Sequence, residues 1–208
     1  MNGATKTAFI DVLFSMLIAV FCLFVLAFVS MNPVAEASKG VAAKAEFVIE
    51  MTWPDGSLDD VDLWLLLPDG RKVGFNRKDA GIATLDRDDR GAQGDVFHDG
   101  DEPKLIRVNR EVIAVRGIMP GRYTVNAHYY AGFDEAKLGF KDEWGQPHIP
   151  LKVKLTKVNP RVVESGASEV VLRTVGEQVT AFAFEIDGRG EVTAFHAAVD
   201  LPFVEATK

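Results

Sequence analysis

The sequence predicts one N-terminal transmembrane helix followed by an exported all-β domain, a sandwich or a barrel. Three observations predict it. Residues 8–31, AFIDVLFSMLIAVFCLFVLAFVSM, are almost wholly apolar. From Ala45 onward apolar residues alternate with polar ones in many short runs, the period of a half-buried strand. Turn signals separate those runs, and no helical pattern of useful length appears after the first segment.

The apolar segment is long enough to cross a bilayer. At about 1.5 Å per residue it spans roughly 36 Å, against a hydrocarbon core of about 30 Å. Lys6 precedes it, and Asp11 is the one charge inside it. The positive-inside rule then places a short tail, residues 1–7, in the cytoplasm. Asn32-Pro33 closes the helix, because proline cannot continue its hydrogen-bond ladder. The expected topology is bitopic, in a bacterial inner membrane with the C-terminal domain in the periplasm. The rival reading is a signal peptide cleaved after Ala37, at Val34-Ala35-Glu36-Ala37. The apolar run is longer than the usual signal core of about 7–15 residues.

Residues 32–44, rich in Ala, Ser and Gly, read as a linker, and residues 45–208 as one domain. Phe47, Ile49 and Met51 form the first period-two set. Val61, Leu63, Leu65 and Leu67 form the second, closed by Pro68-Asp69-Gly70, where proline fixes φ and glycine supplies the positive φ of a turn. Further strands are expected at 72–75, 105–108, 111–116, 122–130, 148–158, 169–174, 178–186 and 191–197. Turns are expected at Met119-Pro120-Gly121, Ser165-Gly166 and Asp187-Gly188-Arg189-Gly190. Residues 79–103, rich in Asp, Arg and Gly, read as a long acidic surface loop.

The net charge is −7, nearly all of it after the helix, which argues against a nucleic-acid partner. The single cysteine, Cys22, lies in the apolar segment, so no intramolecular disulfide or cysteine zinc site can form. His98, His128, His148 and His196 lack metal-ligand spacing, no serine sits in a nucleophile elbow, and no glycine-rich phosphate loop is present. The chain is therefore expected not to be an enzyme. Trp53, Trp64 and Trp144 are expected in the core, with a carbohydrate or peptide site as the other reading.

Two sets of acids stand out. Asp11 is costly in an apolar span, and such a residue usually faces protein or water. On a helix it shares one stripe with Ser15, Ile18, Cys22, Val25 and Val29, with Ser15 one turn away. A carboxylate kept from water can take a proton from one side of a membrane and release it to the other, the physics of a proton relay. The plainer reading is an acid that reaches the headgroups or favours the helix N-terminus. In the exported part, Asp60, Asp62, Asp86, Asp88 and Asp89 offer hard oxygen ligands for calcium. The run from Asp86 to Phe97 is not an EF-hand, since Arg90 and Phe97 occupy ligand positions.

Phe9-Ile10-Asp11-Val12-Leu13, the Leu/Val/Phe-rich span and Asn32-Pro33 resemble the N-terminal helix of the ExbD/TolR and MotB families. They are also similar to the MotB-like subunit of Zorya-type anti-phage motors. That resemblance implies a homodimer whose helices sit in a ring of a polytopic MotA/ExbB/TolQ-like partner. It places a proton-carrying role on Asp11, with Ser15 as a neighbour on the path. The expected function is thus a subunit of a proton-driven stator; the alternative is a periplasmic binding module with a passive anchor. After the helix nothing looks like the OmpA-type domain of MotB. Instead Asp60-Val61-Asp62-Leu63, Pro68-Asp69-Gly70 and Pro120-Gly121-Arg122-Tyr123-Thr124-Val125, with Tyr129-Tyr130, resemble the YfaP-like exported domains. This second resemblance implies an immunoglobulin-like sandwich and no settled activity.

Overall fold

The computed structural model describes residues 3–31, 44–100, 102–132, 141–197 and 199–204. The chain divides into two units, residues 1–42 and 43–208.

The first unit contains helix α1, Gly3–Met31, 29 residues without a break. No proline interrupts it, and its only glycine is the first residue, so nothing in its interior removes a backbone donor. Its described side chains, residues 9–25, are all exposed. Among them Phe9, Phe14, Leu17, Phe21 and Phe24 are each 60% exposed or more. Among the described residues no helix is long and apolar enough to cross a membrane. Both ends of the expected span, residues 8 and 26–31, lie beyond the described side chains, so the span stands as a proposal. Of the expected linker 32–44, only Lys44 is described.

Among the described residues the second unit is all-β apart from one short turn of helix. One five-stranded sheet has the order β10 (Val163–Leu172), β9 (Ile149–Lys157), β1 (Phe47–Thr52), β7 (Arg110–Val115), β4 (Ala83–Arg87). The other has the order β12 (Val192–His196), β11 (Gln178–Ile186), β8 (Gly121–Ala131), β2 (Asp60–Leu66), β3 (Lys72–Val73). All pairings in both sheets are antiparallel. A separate hairpin joins β5 (Val96–Asp99) to β6 (Glu102–Leu105), preceded by the short helix α2 (Ala92–Asp95).

The alternation in the sequence decides which residues meet. On β1, Ile49 lies between Ile113 of β7 and Leu155 of β9. On β8, Val125 lies between Leu65 of β2 and Phe182 of β11. These side chains belong to one buried apolar cluster fed by both sheets, which makes the unit a two-layer structure around a shared core. Tyr123 stacks on Phe184 at its centre, ring centroids 4.9 Å apart. Trp53 is buried in the core as expected, whereas Trp64 is buried outside the core cluster and Trp144 is half-buried.

The structure corrects four strand and loop expectations. Residues 79–103 are not one surface loop: they hold β4, α2 and β5, and Ala83, Leu85 and Asp89 are buried. The alternating stretch Ala83–Leu85 is too short to stand out among acids, yet it pairs with Val115 and Ile113. Ser165-Gly166 is not a turn but a register shift within β10. Of residues 105–108 only Leu105 is in a strand, and β3 stops at Val73 because Gly74 and Arg77 form their own bridge. The Pro68-Asp69-Gly70 turn is present, with Gly70 at φ 85° and its N–H on the Leu67 carbonyl.

Gly166 has a packing reason as well. A Cβ there would collide with the ring of Phe195. Gly166→Ala should therefore destabilise the domain by about 1–3 kcal/mol, an ordinary overpacking cost, measured by urea unfolding. Adding Phe195→Ala should recover part of the loss; a Gly166→Ala chain as stable as the parent contradicts this packing.

Candidate metal centre

The short β3 leaves part of β2 without a strand neighbour, since it pairs only Leu65 and Leu66. A side chain from the opposite sheet fills that gap. Glu111 lies on β7, at the inward register shared with Ile113 and Val115, and is fully buried. Its Oε2 accepts the Leu63 N–H at 2.5 Å, and its Oε1 accepts the Asp89 N–H at 3.2 Å. The carboxylate thus links β7, β2 and the turn after β4.

That turn brings further acids. Asp89 is itself buried and accepts the N–H groups of Gly91 and Arg110, and an Arg87 guanidinium N–H at 3.0 Å. Gly91, at φ 55°, lets the turn pass close to β2: a Cβ there would lie 2.5 Å from the Leu58 carbonyl oxygen. Asp88 reaches the same space while its Oδ2 meets Lys78 at 2.7 Å. From β2, Asp62 is buried, with Oδ2 3.4 Å from His128 Nδ1. Carboxylate oxygens of Asp62, Asp88 and Glu111 lie within 4.8 Å of one another. Asp60 adds an Oδ1 that is fully buried and has no hydrogen-bond partner.

Burial and crowding of like charge govern the titration of this group. Burial pushes Asp60 up to about 7, and the charges of Asp62, Asp88 and Asp89 add to it while Arg90 opposes. Burial likewise raises Asp62, partly offset by His128. Glu111 is held well above its usual range by burial first, against the pull of its two N–H donors. Burial and then Asp89 lift Asp95 to about 6.

Such a set of oxygens suits a hard cation. Two ligands on a coordination shell of about 2.4 Å radius can be at most about 4.8 Å apart, and the three carboxylate oxygens all lie within that distance of one another. Each carboxylate oxygen has two lone pairs, so Glu111 can keep its N–H bonds and still ligate. An orphaned buried oxygen such as Asp60 Oδ1 calls for a cation or a proton. The triad Asp62, Asp88 and Glu111 could therefore hold a metal.

Of the acids marked in the sequence, Asp60, Asp62 and Asp88 do converge, and Asp89 scaffolds them. Asp86 does not join them. It meets Arg116 at 2.6 Å, because β4 shifts register between Leu85 and Arg87 and separates Asp86 from Asp88. Glu111 was missed, although a charge at an inward position of the Glu111, Ile113, Val115 alternation was its signal. Asp11 and Ser15 both lie on α1, exposed, four residues apart. His148 takes the Trp144 Nε1–H on its carbonyl at 2.7 Å and, like His98 and His196, stands apart from the acids.

No protein family, curated protein or solved structure matches the chain.

The raised carboxylates set the sign of the pH dependence. Asp60 and Asp95 titrate near 7 and 6 when folded, against a usual value of 3.8. The folded state therefore binds protons more tightly than the unfolded one, and this contribution is lost as pH rises through 6–7. In buffer stripped of divalent cations, unfolding midpoints of the full chain should be higher near pH 5 than near pH 8. A midpoint that climbs steadily over that window contradicts the assignment.

Proposed function

We propose that the chain is a membrane subunit of a proton-driven stator-type complex. In this reading α1 spans the bacterial inner membrane and Asp11 carries protons, with Ser15 beside it. The helix dimerises with a second copy inside a ring of a polytopic MotA/ExbB/TolQ-like partner. The β domain lies in the periplasm and anchors the complex or senses a target. The observation that carries the proposal is α1 itself. It is an unbroken helix about 44 Å long at roughly 1.5 Å per residue. Exposed apolar side chains cover every side, and one carboxylate stands among them. A helix apolar all round belongs in a nonpolar surrounding, and an acid within it marks an ion path by default. Asp11→Asn should abolish proton flux in vesicles holding the chain and its ring partner while the two still co-purify. Normal flux in the Asn variant overturns the proposal.

A second reading, a binding module on a passive anchor, has its own support in the β domain. The domain would be an immunoglobulin-like sandwich that binds calcium at Asp60, Asp62, Asp88 and Glu111. At the entry to β8, Tyr123 Oη donates to the Met119 carbonyl at 2.8 Å, the kind of corner found in such sandwiches. Calcium would tie β2, β7 and the turn after β4 together and replace the protons the cluster otherwise needs. Asp86 is not part of this site. Calcium at a hundredfold excess over its Kd should stabilise the folded domain by about 2.7 kcal/mol by mass action, read as a raised unfolding midpoint. Asp88→Asn should remove the effect. An unchanged midpoint with calcium contradicts the site, whatever Asp11 does.

A further inference from the structure

On the outer face of the second sheet lies a cavity of about 340 Å³, which borders the acid cluster through His128, 3.4 Å from Asp62. That volume is in the range of small-molecule sites. Its floor is Trp64 and His128, both buried on neighbouring strands. One wall is Phe75, at the turn after β3, packed edge-on against Trp64 with centroids 5.6 Å apart. The other wall is Phe203, in the segment 199–204 that crosses the sheet.

That segment is fastened, so the walls are preformed. Leu201 N–H donates to Thr180 Oγ1 at 2.9 Å, and Gln178 exchanges two hydrogen bonds with the Val204 backbone at 2.8 and 3.0 Å. Lys72 Nζ donates to the Phe203 carbonyl at 2.7 Å. An ammonium has three donors, so two of its N–H bonds stay available. Arg77 stands at the rim, exposed, and its guanidinium has no hydrogen bond or ion pair among the described residues.

The charge of this cavity is opposite to that of the chain. No carboxylate lines it among the described residues, yet it carries Lys72 and Arg77 in a protein of net charge −7. Two ring walls favour a flat apolar body. A free guanidinium fork matches a carboxylate with two parallel hydrogen bonds.

We propose that the cavity between Phe75 and Phe203 binds a small carboxylate with a flat apolar body, held at its charged end by Arg77 and Lys72. The ligand end lies at the rim and the body slides between the rings above Trp64. This site does not involve Asp11, and it touches the acid cluster through the His128–Asp62 contact.

Titration calorimetry on the full chain in detergent micelles tests it, with benzoate, indole-3-acetate, benzyl alcohol and inorganic phosphate as probes. At least one of the two carboxylates should bind saturably with one site per chain, and benzyl alcohol and phosphate should bind far more weakly. Arg77→Gln should weaken binding at least roughly tenfold, about 1.4 kcal/mol and the low end for a charge-assisted hydrogen bond. It should leave the unfolding midpoint unchanged, because the exposed guanidinium supports no other contact. Phe203→Ala should weaken binding as well. The proposal is overturned if neither carboxylate binds, if benzyl alcohol or phosphate binds as well as they do, or if Arg77→Gln binds like the parent.

Discussion

Glu111 is the group around which the β domain is arranged. A carboxylate at an apolar register of a central strand is costly to bury unless every lone pair is used. Here two backbone N–H groups use part of that capacity, one from the facing sheet and one from the turn after β4. The bond from Leu63 caps a backbone N–H in the stretch of β2 that the short β3 leaves unpaired. The two bonds also bring Asp88 and Asp89 onto Asp62 and Asp60. The concentration of negative charge follows from satisfying one buried acid, and it creates a demand for protons or a cation.

The same constraint acts in the first unit under different surroundings. Asp11 is a lone carboxylate on a helix whose described side chains are otherwise almost all apolar and exposed. No basic residue lies among the described side chains of α1, residues 9–25. Our proposed reading gives it a proton, exchanged across a membrane with the help of a partner ring. In the β domain the charges are many and the backbone fixes them; among the described side chains of α1 there is one, and in our proposed reading a partner completes its surroundings.

The core strands were legible because their alternation is long and clean: 47–51, 61–67, 122–130 and 178–186 each place their apolar sets in the core. The convergence of Asp60, Asp62 and Asp88 was legible in part, since two of them share a strand. Two features were not. β4 shows only three alternating residues, and its edge pairing depends on β7, a partner defined by tertiary structure. Glu111 opens the expected strand 111–116 without standing out, because a single sequence gives no sign that the facing strand would lack a neighbour. Asp86 misled for a related reason: the register shift in β4 turns it toward Arg116.

Terbium luminescence tests most directly the claim that a hard cation answers the charge gathered around Glu111. Terbium takes calcium's oxygen ligands, and Trp64 lies two residues along β2 from Asp62, close enough to sensitise it. The full chain should show tryptophan-sensitised terbium emission that saturates at one ion and is displaced by calcium, and Glu111→Gln should abolish it. Absence of sensitised emission, or emission that persists in the Gln variant, would contradict the account.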